Sequence, residues 1–119
     1  RIVVRDGGAV FFQPVEEVDW IEAADYYAKL HVGTKVHLVA ETMSSLEDRL
    51  DPSTFLRVHR STIVNLSRVR ELRLDYRNRH VIVLENGSRV PLSRGKRDVL
   101  ERAMAGGRHP PASSRGWRG

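Results

Sequence analysis

The run Phe55-Leu-Arg-Val-His-Arg-Ser-Thr-Ile-Val-Asn-Leu66 sets two guanidiniums (Arg57, Arg60), an imidazole (His59) and a hydroxyl (Ser61) between short apolar stretches. All four can donate hydrogen bonds, and phosphate oxygens and base edges are the acceptors that suit such a set. A second donor cluster stands at Ser93-Arg-Gly-Lys-Arg97, just before an apolar-periodic segment. If Ser93 caps a helix there, free backbone N–H groups beside Arg94 and Lys96 make an anion site. Catalysis is not legible. His31, His37, His59, His80 and His109 fall singly, and no Ser or Asp stands in a nucleophile motif. With no cysteine, the chain has neither a disulfide framework nor a thiolate metal site. No enzyme activity, cofactor or metal is expected.

The elements that position these groups are mostly strands. Phe55-Leu56 and Thr62–Val64 are β-formers, so the central run reads as strand, short connector, strand. The chain opens with a hairpin around Asp6-Gly7-Gly8, and Pro14-Val-Glu-Glu17 predicts one short helical turn. Strands are expected over 18–22, 27–32 and 36–39, with Trp20 in the core. Ser44-Ser-Leu-Glu-Asp-Arg-Leu50 predicts a short helix capped by Ser44 with Glu47 completing a capping box, its apolar stripe being Leu46 and Leu50. Strands follow at 69–74, 80–84 and 88–92. Asn86-Gly87 signals a two-residue hairpin, and Pro91 implies an edge strand. Residues 93–104 read as a terminal helix with Val99, Leu100 and Ala103 inward. Asn65 suits a turn-stabilising amide, and His59 an ordering hydrogen bond in preference to a phosphate contact. The expected class is mainly β, with eight to ten short antiparallel strands and two short helices.

At 119 residues the chain is one domain, expected to span 1–104 with a flexible basic tail over 105–119. The formal net charge is +5, but Arg108, Arg115 and Arg118 lie in that tail, and residues 1–104 carry 17 Lys and Arg against 15 Asp and Glu. Basicity is therefore a matter of clustering. From Arg57 to Arg79 seven arginines face only Glu71 and Asp75. No apolar run approaches the roughly 20 residues of a membrane span, and a cytoplasmic location is expected.

The central run resembles the signature of LytTR-type DNA-binding domains, the output modules of many bacterial response regulators. The resemblance extends from Asp19-Trp-Ile-Glu-Ala-Ala-Asp-Tyr-Tyr27 through Ser45-Leu-Glu-Asp-Arg-Leu50 to Val90-Pro-Leu-Ser-Arg94. It implies an elongated arrangement of small antiparallel sheets whose loops, with the start of the last helix, enter successive major grooves. It also implies roles. Arg60 and Arg94 match base-reading positions, and arginine favours guanine through O6 and N7. A third reading position aligns with Ala28, beside Lys29. Ala28 could touch only a thymine methyl, whereas Lys29 could donate to guanine or phosphate, so Lys29 is the expected contact. Arg57, Ser61, Ser93, Lys96 and Arg97 are the expected phosphate contacts.

The function implied is sequence-specific binding of double-stranded DNA by a bacterial transcriptional regulator of the two-component type. Repeated half-sites would be bound by two copies, with a receiver or sensor module lying N-terminal to Arg1 and the isolated domain monomeric, since no exposed apolar patch is expected. The alternative is a β-rich protein- or RNA-binding module. An RNA-stacking platform needs exposed aromatics on a sheet, and those here are expected mostly to be buried.

Overall fold

A computed structural model describes residues 1–106, so the expected tail lies outside the described residues from residue 107 on. β1 (Ile2–Asp6) and β2 (Ala9–Gln13) form an antiparallel hairpin closed by Gly7-Gly8, and Gly7 takes the φ of 61° that a side chain would resist. A five-stranded antiparallel sheet follows, built from β3 (Trp20–Ala24), β4 (Tyr27–Val32), β5 (Lys35–Val39), β6 (Phe55–His59) and β7 (Thr62–Asn65). Its spatial order is β5-β4-β3-β7-β6. A third sheet, ordered β10-β9-β8, contains β8 (Val69–Leu74), β9 (His80–Leu84) and β10 (Arg89–Pro91). Pro91 thus lies on an edge strand, where its missing donor leaves no ladder bond unmade. Among the described residues the α-helices are α1 (Met43–Arg49) and α2 (Arg97–Met104), with single 3-10 turns at Val15–Glu17, where one helical turn was expected, and at Leu66–Arg68. Extents of 51 × 34 × 24 Å give the elongated, mainly β arrangement expected.

The five-stranded sheet separates two cores because side chains alternate along a strand. Ile21, Ala28, Leu30, Phe55 and Ile63 point to one face, where they meet Ile2 and Val4 of the hairpin and Met43, Leu46 and Leu50 of the α1 region. Val58 and Val64 point to the other, against Ile82, Leu84, Val90, Leu92 and Leu100. Adjacent Ile63 and Val64 therefore serve opposite cores, each contributing about 1.5–3 kcal/mol relative to an exposed side chain. Trp20 is only partly buried; it packs beside the second core and stacks on His31 with ring centroids 4.0 Å apart. Asn65 is buried, donates to the Val18 carbonyl at 2.9 Å and accepts from the Ser67 amide at 3.0 Å, the turn-holding role its position suggested.

Several local expectations are corrected. Thr42, not Ser44, caps α1, its hydroxyl accepting from the Ser45 amide at 3.0 Å; Glu47 is thereby freed to face β6. Ser93 does not cap α2. Gly95 at φ 87° closes a tight turn in which the Lys96 amide donates to the Ser93 carbonyl, and the helix starts at Arg97 without a side-chain cap. The hairpin at Asn86-Gly87 has a three-residue loop: the Gly87 amide donates to the Leu84 carbonyl and Gly87 takes φ 88°. Exposed aromatics also exist. Tyr26 (90 % exposed) and Tyr76 (89 %) sit at hairpin tips, while Phe12 and Tyr27 are half exposed. Half-exposed Val3, Val36 and Leu38 likewise leave apolar surface on the hairpin and the open part of the sheet.

Candidate nucleic-acid interface

Strand direction collects the sequence-predicted loops at one end of the molecule. β7 runs antiparallel to β3, so the Arg60-Ser61 connector lies at the same sheet end as the Asp25-Tyr26 turn. The Ala23 amide extends the pairing by donating to the Ser61 carbonyl at 2.9 Å. The loop after β10 is laid against β6 by a bond from the Ser93 amide to the Val58 carbonyl at 2.7 Å. Arg94 thus stands beside the Arg60 connector. Lys29 lies within a strand rather than a loop. It shares a cross-strand row with Glu22, Thr62 and His59, which spans the sheet toward that connector. Ala28 is fully buried in the first core, so no base can reach it; Lys29 projects from the opposite face.

The cations at this end divide into two sets. Among the described residues, Lys29, Arg60, Arg94 and Lys96 take part in no ion pair. Lys29 is left unpaired although Glu22 is its register partner, because His31 donates to Glu22 at 3.0 Å while stacked on Trp20. Others are engaged inside the fold. Arg57 donates to the Arg60 carbonyl at 2.6 Å, to Ser44 Oγ at 3.3 Å and to Glu47 Oε1 at 3.2 Å, which fastens the connector to α1. Arg97 donates to Glu101 Oε2 at 2.7 Å and approaches His80 Nε2 at 3.4 Å. The Ser61 hydroxyl contacts His59 Nδ1 at 2.8 Å and Thr62 Oγ1 at 3.2 Å. Ser93 contributes both backbone groups to the loop geometry, with its side chain half-buried. An unpaired guanidinium keeps its whole fork for recognition, whereas one whose terminal nitrogens are engaged, as in Arg57 and Arg97, supplies shape.

One segment at this end was passed over in the sequence. The tip between β8 and β9 holds Tyr76, Arg77, Asn78 and Arg79, and Asp75 organises it by accepting from the Arg77 amide at 2.8 Å and the Arg79 amide at 2.9 Å. Those bonds, that of the Arg79 amide foremost, hold the Asp75 carboxyl below the usual carboxylate range. Asn78 turns the chain at φ 60°. Asp75 and Asn78 between two strand patterns were the available signal.

Comparison with known proteins bears on the family and the fold. Residues 8–105 match the family model described as the LytTr DNA-binding domain. The chain is similar to the sensory transduction protein LytT of Enterococcus faecalis, 26% identical over 93 residues, covering 78% of this chain and 38% of that protein. It is also similar to the CO-responsive transcriptional regulator RcoM of Rhodospirillum rubrum, 34% identical over 101 residues, covering 83% of this chain and 42% of that protein. The chain therefore spans about two fifths of the length of these relatives. Among solved structures, the LytTr DNA-binding domain of a methyl-accepting/DNA response regulator from Bacillus cereus superposes with a TM-score of 0.73 at 23% identity, covering 88% of this chain and 95% of that one.

Proposed function

The chain belongs to the LytTR family of DNA-binding domains, and on that basis we propose that it reads a specific duplex sequence as the output module of a longer bacterial transcriptional regulator. The observation that carries this reading is the juxtaposition of two unpaired guanidiniums, Arg60 and Arg94, on loops tied together by the Ser93–Val58 backbone bond. Arginine's planar fork matches O6 and N7 of guanine in the major groove, so each loop reads one base pair. Lys29 reaches a further base edge, and Lys96 neutralises a phosphate. Arg57, Ser61, Ser93 and Arg97 fit phosphate contact less well than shape: their donors already fix the loops on which the readers stand.

Two loops read from one end of a small domain cover little more than one helical turn, so two copies on repeated half-sites supply the specificity of a regulator. The signal enters through a receiver or sensor module elsewhere in the longer protein. Selection of bound sites from random duplex DNA, followed by footprinting of the winner, tests the reading. It predicts repeated motifs with protected guanines in the major groove. Enrichment of no motif, or preference for single-stranded RNA, would remove it.

A further inference from the structure

We propose that a cleft between the β8–β9 tip and the two reading loops seats one backbone phosphate of the bound duplex, with His59 and Arg79 as its donors. This rests on the DNA-binding reading and adds to it a contact on a different element. The cleft is lined by His59, Asn78, Arg79, His80, Ser93 and Arg94 around Leu92. Every polar side chain among them can donate a hydrogen bond, and among the described residues no carboxylate lines this part. Asp75 enters only the adjoining stretch toward Arg89. A phosphodiester oxygen, which only accepts, complements such a surface.

Two of these donors are fixed by their neighbours. The Ser61 amide can only donate, and it lies 3.1 Å from His59 Nδ1, so Nδ1 carries the lone pair and Nε2 the proton. The Ser61 hydroxyl, 2.8 Å from the same atom, can donate to it as well. The Nε2–H has no hydrogen-bond partner among the described residues and belongs to a ring that lines the cleft. Arg79 is held from the other side: Asp75 accepts from its amide at 2.9 Å and from its Nε at 3.2 Å, which leaves the two terminal nitrogens of the guanidinium to meet an anion. A pre-positioned arginine loses less freedom on binding than a free one. Between the loops that carry Arg60 and Arg94, a phosphate held here fixes the register in which both reach their bases.

The test uses the 119-residue chain and its selected duplex, with single phosphates replaced in turn by neutral methylphosphonates, in the wild type and in Arg79→Ala. Arg79 is largely exposed, so the variant keeps its fold. One phosphate is expected whose neutralisation weakens the wild type on the order of tenfold but Arg79→Ala, which keeps only the His59 donor there, distinctly less. The variant's log–log salt slope falls by about 0.9, with the base preferences intact. Equal losses at every phosphate in both proteins, or a wild-type slope in the variant, would overturn the cleft assignment while the DNA-binding reading stands. A wild type that binds duplex without salt sensitivity would remove both.

Discussion

The Ser93 amide donates to the Val58 carbonyl at 2.7 Å, and this bond makes one surface of two loops that lie more than 30 residues apart in the chain. Val58 is fully buried in the second core at the bulge between Arg57 and His59, so the loop carrying Arg94 is anchored to β6 immediately before the Arg60 connector. The relative placement of the two arginines is therefore a property of the fold.

Arg60→Ala and Arg94→Ala are each expected to lose about 1–3 kcal/mol of discrimination at one base-pair position, and at different positions. Lys96→Ala should instead weaken all sequences alike. Competition binding against single-base variants of the selected site separates the patterns, and equal losses on specific and random duplexes would demote either arginine to a backbone contact.

Arg57→Ala tests whether that side chain touches DNA or shapes what does. Its bonds to the Arg60 carbonyl, Ser44 and Glu47 predict lost discrimination at the Arg60 base pair with an unchanged salt slope. Glu47→Gln should shift the specificity the same way. If the slope fell by about one in Arg57→Ala, the arginine would be a phosphate contact after all.

Asn65→Ala should destabilise the domain by about 1–3 kcal/mol in urea unfolding, because it leaves the Val18 carbonyl and the Ser67 amide without their partner. Base preference of the folded fraction should not change. A neutral variant would mean that water replaces the amide at no cost.

The β8–β9 tip has an acid limit. The folded Asp75 carboxyl titrates below its unfolded value, so the bonds it accepts contribute fully above the unfolded value and are lost as pH falls through the folded one. The Arg77 and Arg79 amide resonances should move with a midpoint below the ordinary carboxylate value. Movement centred near about pH 3.9 would show that the turn does not hold the carboxylate.

Much of the scaffold was legible because its signals are local. The strands Val69–Leu74, where Val69, Leu72 and Leu74 are interleaved with charges, and His80–Leu84, with its aliphatic run, fall where predicted, and the Arg60-Ser61 connector lies between two β-forming stretches. Caps were less legible. Thr42 and Ser44 are both competent, and only the path of the chain out of β5 chooses Thr42. Ser93 resembles a cap, but Gly95 at positive φ spends the serine's carbonyl on a turn. The division of the cations into paired and unpaired was not legible at all. Arg57 meets Ser44 and Glu47 from ten or more residues away, and Glu22, the register partner of Lys29, is met by His31. Such pairings are made by topology, and no spacing in the chain announces them.

This end of the molecule is proposed to read duplex DNA, with its unpaired cations as the readers. Titration of the chain onto its selected duplex and onto a scrambled duplex of equal length, at low and at physiological salt, tests it most directly. Tighter binding to the selected site is expected at both salts, with a steep fall in affinity as salt rises and a log–log slope of several units set by the number of phosphates neutralised. Equal affinity for the two duplexes, or an affinity indifferent to salt, would contradict it.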